Sequence, residues 1–239
     1  MTIQSSPSQL VADYTSSWIG ILRTTQATQE LCRIANEGRR LANKAPLDNL
    51  SKACSALDGG VSALMLCGIP SAAKTAVESI SDLNKRKDHP GSGQRAIKAF
   101  HDVSDVASMC SYTGVLFSRL PIFKTLAALF DVTTDGTEIQ MYGRKYLRSK
   151  HLQKKADLED VKGIKHEKTF NLLKLMRAVA ATFAGVLGLI AIATGMALLP
   201  TLAFAIVSLA AVALDMTSHF YKASHPKQLV DHSVVPLTG

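Results

Sequence analysis

The sequence has few cysteines, few aromatic residues and one long region without any charge. Its four cysteines, Cys32, Cys54, Cys67 and Cys110, form no CxxC pair, and each lies among apolar residues. A disulfide framework is therefore not expected, and we predict reduced, buried thiols. Aromatic residues make up 6% of the 239 residues, with Trp18 as the single tryptophan, which leaves few side chains to stack on nucleic-acid bases.

Motifs of catalysis and cofactor binding are missing as well. The chain contains no HExxH, GxSxG or GxxxxGK[ST] sequence. The Gly-rich segment 89–95 lacks the Lys-Ser/Thr of a phosphate loop, and the acidic segment 131–138 has a threonine at the third position of a calcium loop. The first predicts a linker and the second a helix break. We therefore predict no catalytic residue, no cofactor and no metal site, and we expect a protein that is not an enzyme.

Strand patterns are also missing, and the apolar residues follow helical spacing along the chain. The predicted fold class is all-α, with a helical cytosolic domain over 19–170 followed by a C-terminal transmembrane helical hairpin over 171–222. Within the domain we predict a loop at 84–94 and a helix end or kink near Gly68 and Pro70.

The first 18 residues are poor in apolar residues and carry no Lys or Arg. Seven Ser or Thr residues occur in the first 17, and the first basic residue is Arg23. No Sec signal is therefore expected, and residues 1–18 are predicted to be disordered. Their composition is similar to that of export signals accepted by type III secretion machines.

An uncharged run of 37 residues separates Arg177 from Asp215. Since a span needs ~20 apolar residues, we predict two spans that turn at Pro200, Ala178–Leu199 and Thr201–Tyr221. A single span with an interfacial helix and a soluble protein with an apolar core helix are the alternatives. The predicted anchor residues are Ala178, Gly188, Leu199, Pro200, Thr201, Leu214 and Tyr221.

Basic residues flank the hairpin on both sides, whereas the segment around Pro200 carries no charge. Lys174 precedes the first span, and Lys222 and Lys227 follow the second. By the positive-inside rule, both termini of this multi-pass membrane protein are predicted to be cytosolic, with 223–239 as a short polar tail. Small residues at helical spacing in the spans leave homo-oligomerisation open.

The net charge of +8 is concentrated in one segment. Residues 144–177 contain eleven Lys or Arg and four acidic residues, and so carry +7 of it. We predict contact with anionic lipid there, with a role in setting topology alone as the alternative. Since only Tyr142 and Tyr146 could stack on bases and no nucleic-acid module is recognisable, nucleic acid is not an expected partner. The predicted lipid contacts are Arg144, Lys145, Arg148, Lys150, Lys154 and Lys155.

The Ser/Thr-rich start without Lys or Arg and the two closely spaced apolar spans, Ala178–Tyr221 split at Pro200, together resemble the chlamydial inclusion membrane proteins. These share a bilobed hydrophobic domain. The resemblance implies type III secretion, insertion into the vacuole membrane of a pathogen, and termini that face the host cytosol. It also implies an interaction or scaffold protein that recruits an unidentified host protein partner.

A second resemblance is to the peroxisomal membrane-elongation peroxins, which are basic and helical with apolar helices near the C-terminus. The runs ELCRIANEGRRLANK (30–44) and FDVTTDGTEIQMYGRK (130–145) are similar in layout to their helices. This alternative implies a protein that remodels membranes through amphipathic helices.

Overall fold

The computed structural model describes residues 7–85, 91–118, 120–155, 161–195 and 197–225. These residues form seven α-helices and no strand, which confirms the all-α class. The helices are α1 (Pro7–Ser16), α2 (Trp18–Leu41), α3 (Asp48–Lys85), α4 (Ser92–Ser118), α5 (Pro121–Lys155), α6 (Val161–Ala193) and α7 (Leu198–Ser224).

Local signals in the sequence fix both ends of α2. The Ser17 hydroxyl accepts a hydrogen bond from the Gly20 backbone N–H at 3.0 Å, which caps the N-terminus. After the last turn, Asn43 adopts a positive φ of 56°, a conformation that asparagine tolerates better than most residues. The chain therefore leaves the helix there and turns towards α3.

Two predicted helix breaks are not seen. The 38-residue helix α3 runs through Gly68 and Pro70, and the Pro70 side chain lies on the exposed side of the helix. Helix α5 likewise runs through Gly136 without interruption. A Gly or Pro weakens a helix locally, but tertiary packing on either side overrides that preference.

The six long helices, α2 to α7, close a ring. Each packs against its neighbours along the chain, and α7 packs back against α2, while α1 lies on α2. Adjacent helices run antiparallel: Arg23 meets Asp215, and Arg33 further along α2 meets Phe204 earlier in α7. Since α6 lies along α5 and α7 along α2, the predicted division into a helical domain and a following hairpin is not confirmed.

The chain reverses between α6 and α7 earlier than predicted. Helix α6 ends at Ala193, and Gly195 follows with a φ of +67° that glycine adopts without steric cost. Leu199 and Pro200 already belong to the first turn of α7, where the missing N–H of proline is no loss. The predicted turn at Pro200 is therefore corrected: the chain reverses after Ala193 and before Leu198.

The predicted disorder of residues 1–18 is also corrected in part. Pro7–Ser16 form helix α1, and Tyr14 within it is buried. Residues 1–6 and the tail from 226 onward lie outside the described part of the chain. Of the predicted loop 84–94, residues 84–85 end α3 and 92–94 begin α4, while 86–90 lie outside the described part.

Candidate membrane interface and interior charge network

Among the residues that the structure describes, three helices are long and apolar enough to cross a membrane. They are Asp48–Lys85, Gly163–Ala193 and Leu198–Ser224, with 38, 31 and 27 residues. Each exceeds the ~20 residues that span ~30 Å of hydrocarbon. The last two correspond to the predicted pair of spans, whereas the sequence pattern did not identify α3, because Gly68 and Pro70 divide it. The uncharged stretch 59–73 is the signal that could have found it.

The two helices of the hairpin turn small residues inward and large apolar residues outward. At Gly188, an added Cβ would lie 3.3 Å from the Phe204 ring, so the glycine allows the two helices to approach closely. Five alanines of α6 and α7 are buried: Ala178, Ala184, Ala191, Ala205 and Ala211. On the outside, Phe183 is 56% exposed and Leu199 is 67% exposed.

The predicted anchor residues occupy different parts of this hairpin. Ala178 and Thr201 are buried, Leu199 is exposed, and Leu214 and Tyr221 are half-buried. The Thr201 hydroxyl donates to the Ala197 carbonyl at 2.9 Å, which satisfies it within the helix. The Tyr221 hydroxyl lies 2.7 Å from His166 Nδ1 and so joins the far end of α7 to the start of α6.

The predicted lipid-contact residues all lie in the C-terminal part of α5. Arg144 and Lys150 are exposed, and Lys145 and Arg148 are half-buried. The Lys145 ammonium lies 5.7 Å from the centre of the Tyr142 ring, within cation–π range. The side chains of Lys154 and Lys155 lie outside the described part of the chain.

Inside the ring, one carboxylate joins three helices. Asp215 of α7 accepts a hydrogen bond from Arg23 Nε of α2 at 2.8 Å and another from Lys174 Nζ of α6 at 2.8 Å. Its side chain is 12% exposed. The Tyr14 phenol of α1 lies nearby, and burial, followed by the charge of Asp215, raises its pKa. The charge that interrupts the second apolar span is therefore neutralised within the protein.

A second cluster joins α4, α5 and α6. Arg177 of α6 donates to Asp135 at 3.0 Å and also to Glu138, both from α5. Glu138 in turn lies 3.5 Å from Nε2 of His101, whose Nδ1 is 2.9 Å from Asp102. The side chains of His101 and Asp102 are 17% and 10% exposed, so this cluster lies inside the protein.

A third cluster continues the polar interior towards the other end of the ring. Asp131 of α5 accepts hydrogen bonds from two groups of α4, the Tyr112 hydroxyl at 2.7 Å and the Ser108 hydroxyl. On α2, Glu30 is paired with Arg33 at 3.0 Å and is 6% exposed at its side chain. The acidic segment 131–138, where the sequence predicts a helix break, therefore supplies three carboxylates to the interior.

The distribution of polar and apolar side chains is reversed relative to a soluble protein. In the described part of the chain, sixteen polar or charged residues are buried, while eight of the thirteen buried hydrophobic residues are alanines. Twenty-five large hydrophobic residues are exposed. Soluble proteins bury such residues and rarely bury unpaired charge. The outer surface of the ring is therefore the apolar one.

Other chemistry is not evident in the described residues. No group of three or more His, Cys, Asp or Glu side chains among them is placed to hold a metal ion. Cys67 and Cys110 are exposed and Cys32 and Cys54 are half-buried, all of them free, so the prediction of buried thiols is corrected.

Comparisons with family models, with curated proteins and with solved structures found no match to this chain.

Proposed function

We propose that this chain is an integral membrane interaction protein, anchored by the hairpin of α6 and α7 with both termini on the cytosolic side. The observation that carries the proposal is the exposure of the hairpin's apolar residues. In the most apolar window of α6, 17% of the residues are buried inside the protein, and in that of α7, 28% are buried. A core helix of a soluble protein would bury most of such a window.

The basic end of α5 supplies the contact with anionic lipid in this proposal. Arg144 and Lys150 are exposed there, beside the start of α6, where the hairpin enters the membrane. Basic residues near an anionic surface contribute about 1 kcal/mol each. The protein thereby presents its basic end to the cytosolic leaflet.

Recruitment of a partner is the activity we assign to the anchored protein. In this proposal, which follows the resemblance to inclusion membrane proteins, residues 1–18 act as a type III export signal, and the partner is a host protein. The support is the Ser/Thr-rich composition of this segment, which lacks Lys and Arg, together with the hairpin. Fusion of residues 1–20 to a reporter tests it: export that requires a functional type III system is expected, and retention in the bacterium contradicts it.

Membrane remodelling is the second candidate, and the apolar outer face of α4 favours it. Phe100, Val103 and Phe117 are all exposed on this helix. However, the polar residues of α4 are engaged with α3 and α5, as in the pairs Lys98–Asp102–Ser79 and His101–Glu138, so α4 is held in the ring. Reconstitution of the full chain into anionic vesicles distinguishes the two candidate functions. A membrane-remodelling protein should form tubules, whereas a scaffold protein should leave the vesicles unchanged.

The anchoring itself is tested with tags at both ends. Membranes that contain the tagged chain are washed with alkaline carbonate and then treated with protease from the cytosolic side. We expect retention in the membrane and cleavage of both tags. Protection of the C-terminal tag alone would indicate an odd number of spans, and release of the chain into the wash would contradict membrane insertion.

A further inference from the structure

We propose that all six helices of the ring, α2 to α7, lie in the bilayer, and that lipid acyl chains cover its outer surface. The inference rests on the proposed membrane anchoring by α6 and α7 and extends it to α2, α3, α4 and α5. Composition selects α3 as a span but not α2, α4 and α5, because each of these three helices carries charges in its middle.

The outward faces of these three helices are apolar. Exposed large hydrophobic residues occur on each, with exposures between 36% and 75% of the residue surface. They include Ile21, Leu31 and Leu41 on α2, Val103, Phe100 and Phe117 on α4, and Ile122, Leu129 and Leu147 on α5. An apolar surface continuous around a ring far exceeds the patches that a soluble monomer exposes.

Each of the same helices carries a buried carboxylate that is paired with a cation. Glu30 of α2, Asp102 of α4 and Asp135 of α5 have side chains that are 6%, 10% and 11% exposed. Each has a cation within 3.0 Å: Arg33, Lys98 and Arg177, respectively. Ionisable residues within membrane segments are tolerated when they face the bundle interior and pair with one another. Because these charges are paired inside the protein, they do not prevent α2, α4 and α5 from lying in the bilayer.

The lengths of the helices and the basic residues at their ends fit a bilayer. Helices α2, α4 and α5 have 24, 27 and 35 residues, enough to span ~30 Å. Six antiparallel helices place the start of α2 and the end of α7 at one end of the ring. Segments 85–95, 144–168 and 222–239 connect or follow helices at that end and contain fifteen Lys or Arg, whereas 39–52, 119–124 and 194–197 at the other end contain six. The asymmetry places the termini in the cytosol.

Several exposed charges on α3 and α4 agree with this orientation, whereas Asp58, in the other half of α3, is paired with Arg33 at 3.4 Å. Lys74, Glu78 and Lys98 lie in the halves of these helices that are nearest the basic end. Long charged side chains near that end can extend towards the headgroups. The outer surface that lies further from the basic end on α4 is apolar and includes Phe117 and the free thiol of Cys110.

The native thiol of Cys110 provides the test, since α4 is not among the apolar helices and the thiol is exposed on its outer face. Membranes that contain the full chain are treated with a water-soluble maleimide, and the remaining thiols are labelled with a heavy maleimide after SDS is added. Mass spectrometry then gives the reacted fraction. The matched control is Gln94→Cys, an exposed position at the start of the same helix.

We expect the Cys110 thiol to react at least about tenfold more slowly than the thiol at position 94, because the thiolate is the reactive form and does not form in hydrocarbon. SDS should remove the difference. A lipid with a photoactivatable acyl chain gives a second readout on the unaltered chain: crosslinks are expected on the outer faces of α2, α4 and α5 as well as on α6 and α7.

Equal reaction of Cys110 and position 94 in a chain that resists carbonate extraction would overturn this inference and leave the hairpin anchor intact. Protection of Cys110 without lipid crosslinks on α4 would also overturn it, since protein would then cover that face. Extraction of the chain by carbonate would contradict the proposed membrane anchoring itself.

Discussion

Asp215→Asn is the substitution with the largest expected effect on stability, because Asp215 is the shared counter-charge of Arg23 and Lys174. Both cations lie 2.8 Å from its carboxylate, and their side chains are 21% and 22% exposed. Removing one partner of a buried ion pair typically costs ~3–5 kcal/mol, because it leaves charge uncompensated. Since the two cations keep some access to solvent, we expect about 3 kcal/mol, the lower end of that range.

The assay is reversible unfolding of the detergent-solubilised full chain, followed by the helical signal in circular dichroism. The matched control is Glu78→Gln, which breaks the exposed pair Lys74–Glu78, 3.9 Å apart and 79% and 66% exposed. Surface pairs contribute about 0–1 kcal/mol, so the control should stay close to the native chain. A combined Lys174→Gln and Asp215→Asn variant should lose less than the sum of the two single changes. A cost below ~1 kcal/mol for Asp215→Asn would refute the interior network.

Three further predictions concern packing, lipid binding and the indole. Gly185→Ala should cost ~1–3 kcal/mol in the same assay, because the new Cβ would lie 2.5 Å from Cγ2 of Val132. Arg144→Gln combined with Lys150→Gln should weaken the binding of an anionic lipid titrated into the solubilised chain by ~30-fold at low salt, at ~1 kcal/mol per basic residue. Trp18→Phe should cost ~1 kcal/mol, since the indole N–H donates to the α3 backbone at 3.0 Å.

Matched controls separate these effects from general damage. Gly136→Ala adds a Cβ with no neighbour within 4 Å and should stabilise α5 by up to ~1 kcal/mol. Lys52→Gln changes an exposed basic residue at the opposite end of the ring, so lipid binding should be unchanged. Equal losses in a variant and its control would contradict the corresponding prediction.

The all-helical class and the two apolar helices of the hairpin could be predicted from the sequence, because the uncharged run between Arg177 and Asp215 is a local property. The position of the turn could be predicted from the sequence only to within a few residues. Proline tolerates the first turn of a helix, and glycine ends one, so Gly195 rather than Pro200 marks the reversal.

The interior network could not be predicted, because its partners are distant in sequence. Arg23 and Asp215 are 192 positions apart, and Arg177 lies 42 positions from Asp135. Read alone, each of these charges indicates solvent exposure, and hydropathy therefore favours a cytosolic location for α2, α4 and α5. Only the closure of the ring shows that the charges neutralise one another inside it.

The central claim, that the apolar outer surface is covered by lipid, is tested most directly by size-exclusion chromatography of the full chain with and without detergent. The account predicts a single monodisperse species only when a micelle covers the ring, and aggregation or precipitation when detergent is removed. A monodisperse 25.6 kDa monomer in plain buffer would contradict it, since the twenty-five exposed large hydrophobic residues would then face water.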